Sequence, residues 1–163
     1  MADKKLKNII YTAAFAAVIC AATIIIRVPA AGGYYHIGDA FIYLAGALLG
    51  FPYALAAGAA GGALADLFSG YAVYIIPTFI IKACVAACFS NKTARVLCVR
   101  NLIAVAASSV ITVGGYFAAY VIFYGFAGAL VNLYGDLGQA AASAAVFAAA
   151  GAAADKIKLK IKN

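Results

Sequence analysis

The chain has 163 residues, of which 67% are hydrophobic and 10% charged, with a net charge of +7 and a mean hydropathy of +1.03. A soluble globular domain carries about 25% charged residues, so this composition excludes a water-soluble globule and predicts an all-α integral membrane protein. At about 20 apolar residues per crossing the length allows six transmembrane helices in a single domain over residues 1–163, with nothing left for a soluble domain.

The first helix is predicted over about residues 8–27. Its apolar run exceeds a signal-peptide core and ends in Arg27 without a clear small-x-small cleavage site, so it is expected to remain in the protein. Helix two is predicted over about 38–50 and helix three over about 53–69, joined by an uncharged turn at Pro52. Helix four is predicted over about 71–90, helix five over about 102–124 and helix six over about 137–155. Lys4, Lys5 and Lys7 precede the first run, Lys92, Arg95 and Arg100 follow the fourth, and Lys156, Lys158, Lys160 and Lys162 follow the last. Such clusters mark cytoplasmic segments, and six crossings independently put both termini on that side. The basic charge is therefore a topology signal, and no nucleic-acid partner is expected. Cys20, Cys84, Cys88 and Cys98 form neither a disulfide framework nor a metal pair and are read as small packing residues.

Between Arg27 and Lys92 the only Asp, Glu, Lys or Arg residues are Asp39, Asp66 and Lys82. A charge at the centre of a bilayer helix costs roughly 2.5 to 3.5 kcal/mol on insertion scales, so charges kept there are expected to face a cavity or one another. Asp39 opens helix two and Asp66 lies near the outer end of helix three. Lys82 shares an i+4 stripe with Tyr74 and Thr78 and lies near mid-membrane. Whether Lys82 pairs with Asp39, with Asp66 or with a bound solute stays open. Ser108, Thr112, Tyr116, Tyr120 and Tyr124 make a second i+4 stripe, suited equally to interhelical hydrogen bonds and to stacking on a flat ligand. His36 stands in the first outer loop after Gly32 and Gly33, which give that loop backbone freedom. With Arg27, Asn132, Asp136 and Gln139 these groups gather at the predicted outer ends, and the asymmetry predicts an outward-facing pocket. The candidate substrate-binding set is His36, Asp39, Asp66, Tyr74, Thr78, Lys82, Tyr116, Tyr120, Asn132 and Gln139.

Small residues also recur every fourth position: Ala13, Ala17 and Ala21 on helix one, Ala54, Gly58 and Gly62 on helix three, and Ala140, Ala144, Ala148 and Ala152 on helix six. Stripes of this kind let backbones approach closely. Those on helices three and six are read as internal packing, whereas the one on helix one fits either packing or an intersubunit face. No P-loop, G-x-S-x-G, H-E-x-x-H or G-x-G-D motif is present, so neither nucleotide hydrolysis nor other catalysis is expected from this chain. No metal or cofactor site is expected either.

Three segments together resemble the substrate-binding S component of energy-coupling factor transporters, in the riboflavin-type branch. They are Gly38-Asp39-Ala40, Ala63-Leu64-Ala65-Asp66-Leu67 with Ser69-Gly70-Tyr71, and Pro77-Thr78 followed by Ile80-Ile81-Lys82. One departure is Gly50-Phe51-Pro52, where related sequences often have Gly-Pro directly. The resemblance implies a non-enzymatic membrane bundle holding a vitamin near the outer surface under the first outer loop. It implies docking, through Ala13, Ala17 and Ala21, onto a transmembrane coupling subunit bearing two ATPases. A riboflavin-like or other flat heterocycle is the expected ligand. The alternatives are a stand-alone channel or proton-coupled carrier with an Asp66–Lys82 relay, and an intramembrane aspartyl enzyme using Asp39 and Asp66.

Overall fold

The computed structural model describes residues 2–29 and 34–157; Gly32, Gly33, Lys158, Lys160 and Lys162 lie outside the described residues. Helix α1 spans Ala2–Ile25, followed by two short antiparallel strands, β1 (Arg27–Pro29) and β2 (Tyr34–His36), in the register Arg27↔His36 and Pro29↔Tyr34. Helix α2 (Gly38–Leu48), α3 (Tyr53–Ser69), a 3-10 turn (Ala72–Tyr74), α4 (Ile75–Ala87) and the long α5 (Val99–Lys156) complete the chain. The protein is all-α apart from the β1–β2 strap.

The predicted boundaries shift where local chemistry differs from hydropathy. Helix α1 begins at Ala2, ahead of the apolar run, because the basic segment continues the same helical ladder. Helix α3 ends at Gly70, whose φ of 81° lets the Tyr71 N–H reach the Asp66 carbonyl at 2.9 Å, a glycine-dependent helix stop. The stretch 125–136, expected as a loop between helices five and six, is instead helical except at one residue. Gly125 has φ 75° and ψ 173°, a region open essentially to glycine alone, and the chain reverses there. The Phe117 and Phe126 rings meet at 5.8 Å, although nine residues of straight helix would separate them by about 13 Å. At the far ends of the two arms, the Asp155 carboxylate accepts the Val96 and Leu97 N–H groups at 2.6 and 3.0 Å. Helix α5 is thus a helical hairpin whose corner is a single glycine. By length and apolarity, α1 and α5 are each able to cross a membrane.

Polarity is distributed as a bilayer demands and as water would not. Ile9, Ile10, Ile76, Ile80, Ile103, Val110 and Ile122 face outward, while Asp39, Lys82, Thr78, Asn101, Ser108, Thr112 and Gln139 are buried. At the core, Tyr43 stacks on Phe89 at 4.9 Å and meets Phe147 edge-on at 5.8 Å. The helix-three stripe packs as expected: Ala54, Gly58 and Gly62 are buried, and a Cβ on Gly62 would stand 2.9 Å from Lys82 Cγ and Thr78 Cγ2. That close approach seats α4 against α3. On the second arm of α5, Ala140 is buried but Ala148 and Ala152 are exposed. There the buried line runs instead through Ser143, Phe147, Gly151 and Ala154, so the alanine stripe at that end is not internal packing. All four cysteines are free thiols, Cys20 buried and Cys84 exposed.

At the end of the bundle opposite the strap, Asn101 bridges Ser90 and Val96 through bonds of 3.0 to 3.2 Å. Asn91 Nδ2 donates to the Leu49 carbonyl at 3.1 Å. Together they stitch the 88–98 connection to the α2–α3 turn. Replacing Gly125 by valine should lower stability by about 1–3 kcal/mol, since the side chain cannot adopt that backbone conformation without strain. Thermal unfolding of the purified variant in detergent measures this, and an unchanged transition would mean that the corner tolerates a side chain.

Candidate functional site

Every predicted site residue comes to the strap end: His36 stands on the strap itself, and the helices deliver the others there. Asp39 enters from the first turn of α2, where the amide dipoles of the helix N-terminus favour a carboxylate. Asp66 sits one turn before the end of α3. Tyr74, Thr78 and Lys82 descend the inner face of the 3-10 turn and α4. Tyr116 and Tyr120 come from the first arm of α5, and Asn132, Asp136 and Gln139 from the second.

The deepest contact is an ion pair. Lys82 Nζ lies 2.7 Å from Asp39 Oδ1 and 2.9 Å from Oδ2, with the two side chains 1% and 0% exposed. Gln139 Nε2 donates to the same Oδ2 at 3.2 Å. The partner of Lys82 is therefore Asp39 and not Asp66, which removes the geometric basis for an Asp66–Lys82 relay. Lys82 also stands 4.9 Å from the centre of the Tyr116 ring, a cation–π contact.

Above this pair lies a narrow cleft lined by Tyr34, His36, Asp66, Tyr71, Tyr74, Tyr116, Tyr120, Asp136 and Gln139. With Tyr34 bonded to Asp66, the enclosed free space there is about 20 Å³, room for a water molecule and not for a ring. Of the predicted set, His36, Asp66, Tyr74, Tyr116, Tyr120 and Gln139 line the cleft. Asp39 and Lys82 lie behind it, and Thr78 supports it by a 3.0 Å hydrogen bond with the Tyr116 hydroxyl. Asn132 is set aside: its side-chain nitrogen donates to the Gly128 carbonyl at 3.0 Å, and its oxygens accept from the Tyr35 hydroxyl at 3.2 and 3.3 Å. It anchors the strap rather than facing the cleft.

The second i+4 stripe divides along its length. Ser108 donates to the Val85 carbonyl at 3.4 Å, an interhelical role, while Tyr116 and Tyr120 reach the cleft and Tyr124 accepts from Tyr74 at 3.1 Å. Sequence reasoning left Tyr34, Tyr71 and Asp136 out of the site. Tyr34 closes it from the strap, donating to Asp66 Oδ1 at 2.7 Å and packing on Tyr71 at 5.0 Å. The signal that pointed there was its position beside His36 in a loop rich in glycine and tyrosine.

The strap is locked onto the bundle by polar contacts. The His36 N–H donates to Gln139 Oε1 at 3.1 Å, and His36 Nδ1 accepts the Gly38 N–H at 3.0 Å. Tyr35 lies over Gly135, where any side chain would collide with its ring. Burial pushes His36 down to about 4, with Asp39 opposing and Lys82 adding to the shift, so its imidazole is neutral at ordinary pH. Among the described residues no group of His, Cys, Asp or Glu is arranged to hold a metal ion.

On the outer surface of α1, Ala13, Ala17 and Ala21 are all exposed. The opposite side of the same helix buries Ile19, Cys20, Ala22 and Thr23, and Gly61 of α3 approaches it so closely that a Cβ would stand 2.8 Å from the Ala16 carbonyl. The stripe does not contribute to packing within the chain.

An inside-polar, outside-aliphatic helical bundle with a tyrosine-lined cleft at one end has the form of a membrane-embedded subunit with a polar site. Residues 3–155 match the family model described as ECF-type riboflavin transporter, S component, and the chain belongs to that family. Members are substrate-binding subunits of energy-coupling factor transporters and not enzymes, so the aspartyl-enzyme alternative is set aside. The chain is also 33% identical over 118 residues to an "uncharacterized protein in gap 3'region" of Pyrococcus woesei, covering 71% of this chain and 78% of that one.

Two outcomes follow. Lys82→Met leaves Asp39 buried without its counter-ion and should destabilise the fold by about 3–5 kcal/mol, as loss of one partner of a buried pair does. The double variant Asp39→Leu, Lys82→Met should recover most of that loss in a detergent thermal-unfolding scan, and equal instability of the two would refute charge stranding as the cause. The His36 value, lowered from 6.5 to about 4, means that the unfolded chain takes up a proton before the folded one does. Its contribution to stability is full above pH 6.5 and declines as pH falls toward 4. His36→Asn, which keeps an acceptor for the Gly38 N–H, should flatten that part of the stability–pH curve.

Proposed function

We propose that this chain is the S component of an energy-coupling factor importer that captures a vitamin or vitamin precursor, a riboflavin-like or other flat heterocycle, from outside the cell. The observation that carries this reading is the tyrosine-lined cleft at the strap end, closed by Tyr34 and floored by residues of four helices. In the membrane the bundle crosses six times, with α5 contributing two crossings, both termini cytoplasmic and the strap outside. The clusters around Lys4, Lys92 and Lys156 support that orientation through the positive-inside rule. The protein resides in the cell membrane as a multi-pass subunit.

His36, Asp66, Tyr74, Tyr116, Tyr120 and Gln139 contact the solute, with Tyr34 as part of the lid. Asp39, Lys82 and Thr78 hold those groups in position, and Asn132 fixes the strap. Tyrosines supply broad apolar faces with a polar tip, which suits recognition of a ring that also needs hydrogen bonds. ATP hydrolysis takes place in two partner ATPases, and a transmembrane coupling subunit transmits it. The exposed alanine line on α1 supports that docking role, since Ala13, Ala17 and Ala21 offer a smooth helix face for close helix–helix approach.

Co-purification tests the assembly. The unmodified chain should retain a coupling subunit that an Ala13→Trp, Ala17→Trp double variant loses, while solute binding by the isolated chain persists. A double variant that still holds the coupling subunit removes α1 as the docking face. Concentrative uptake by the chain alone in vesicles, without ATPases, would instead establish a self-sufficient carrier.

A further inference from the structure

Carboxyl groups outnumber cationic ones at the strap end. Three carboxylates, Asp39, Asp66 and Asp136, converge on the strap end, and each is at most 6% exposed. Lys82 is the one buried ammonium among the described residues, and Asp39 holds it through both oxygens. His36 adds no charge there, because its Nδ1 accepts the Gly38 N–H. Arg27 is exposed on the strap and lies over the Tyr34 ring at 5.4 Å from its centroid, outside the cleft lining.

Two of these carboxylates are incomplete. Asp66 Oδ1 is satisfied by Tyr34, but Asp66 Oδ2 and Asp136 Oδ2 are buried without a hydrogen-bond partner. Both residues line the same cleft. A buried polar atom without a partner is costly, and a buried carboxylate oxygen more so. For an ionised carboxylate the missing partner is a donor, and the strongest donors are positively charged.

The remaining wall is aromatic. Tyr34 meets Tyr71 at 5.0 Å, Tyr74 meets Tyr120 at 5.9 Å, and Tyr116 stacks on Tyr120 at 6.2 Å. Tyrosine rings present negative faces that attract cations, and aromatic cages bind charged nitrogen compounds on this principle.

We infer that the cleft selects an organic cation: a planar heterocycle carrying a positive charge or a protonated amino group, with N–H donors directed at Asp66 and Asp136. The inference rests on the solute-binding reading above and narrows its ligand class. Phosphorylated or carboxylate-bearing relatives of such a ring are disfavoured, because they would bring negative charge beside ionised carboxylates. A neutral ring would leave both oxygens less well satisfied.

The test measures binding to the detergent-purified chain of three heterocycles that differ in charge: thiamine as the cation, riboflavin as the neutral ring and nicotinate as the anion. Amprolium and 4-amino-5-aminomethyl-2-methylpyrimidine extend the cationic set. At least one cationic probe should bind more tightly than riboflavin and nicotinate. Asp66→Asn and Asp136→Asn should each weaken that probe tenfold or more, whereas Asp136→Glu, which keeps the charge, should stay within a few fold. Unfolding scans of the same samples identify variants that have lost the fold, and the comparison among probes on the unmodified chain stands without them. Tighter binding of riboflavin or nicotinate overturns the inference and leaves the S-component reading intact. So does a folded Asn variant that binds the cation as well as the unmodified chain. Failure of heterocycles of every charge to bind overturns both readings.

Discussion

The arrangement at the strap end depends on the buried pair between Lys82 and Asp39. Neither group is tolerable alone in an apolar bundle, and together they determine how α4 sits against α2. The approach of Gly62 to Lys82 and Thr78 brings α3 into the same contact. Gln139 then adds the second arm of α5 by donating to the carboxylate that holds Lys82. One salt bridge thereby organises four helices around a point just below the cleft.

From that point the polar network rises to the strap without interruption. Gln139 accepts the His36 N–H, and His36 accepts the N–H of Gly38 beside Asp39. The closing segment is thus wired to the same carboxylate that neutralises the deep lysine. The strap and the ion pair therefore share one hydrogen-bonded network through Gln139. A polar interior inside an aliphatic exterior serves the same end: in lipid the buried polar groups have no water to fall back on, so partners within the bundle hold them in definite places.

Much of the site was legible in the sequence because charge is so scarce. In a chain with five acidic residues, Asp39 and Asp66 stand out by their isolation, and Lys82 by its depth. The i+4 stripes of α4 and α5 correctly put Tyr74, Tyr116 and Tyr120 on inward faces. That Asn132 bonds to the strap and does not line the cleft was not legible, because a polar residue near the right end of a helix carries no sign of the direction it faces. Tyr34 and Tyr71 were missed for the opposite reason: in a chain with eleven tyrosines, two more in or beside loops are not distinctive. The alanine run on the second arm of α5 misled because alanine occupies both the buried and the lipid-facing positions there, so its spacing does not mark a face.

The sequence by itself determined the solvent of this protein, its helical segments and the end at which its polar groups collect. These follow from hydropathy, charge clusters and helical periodicity, all properties of single segments. Only the tertiary structure decided that Lys82 belongs to Asp39, that 125–136 is helix with one glycine corner, and that Asp66 and Asp136 share a cleft with unpaired oxygens. Those facts depend on distances between segments far apart in the chain, where a shift of a few ångströms selects one carboxylate over another, and no local pattern records such distances.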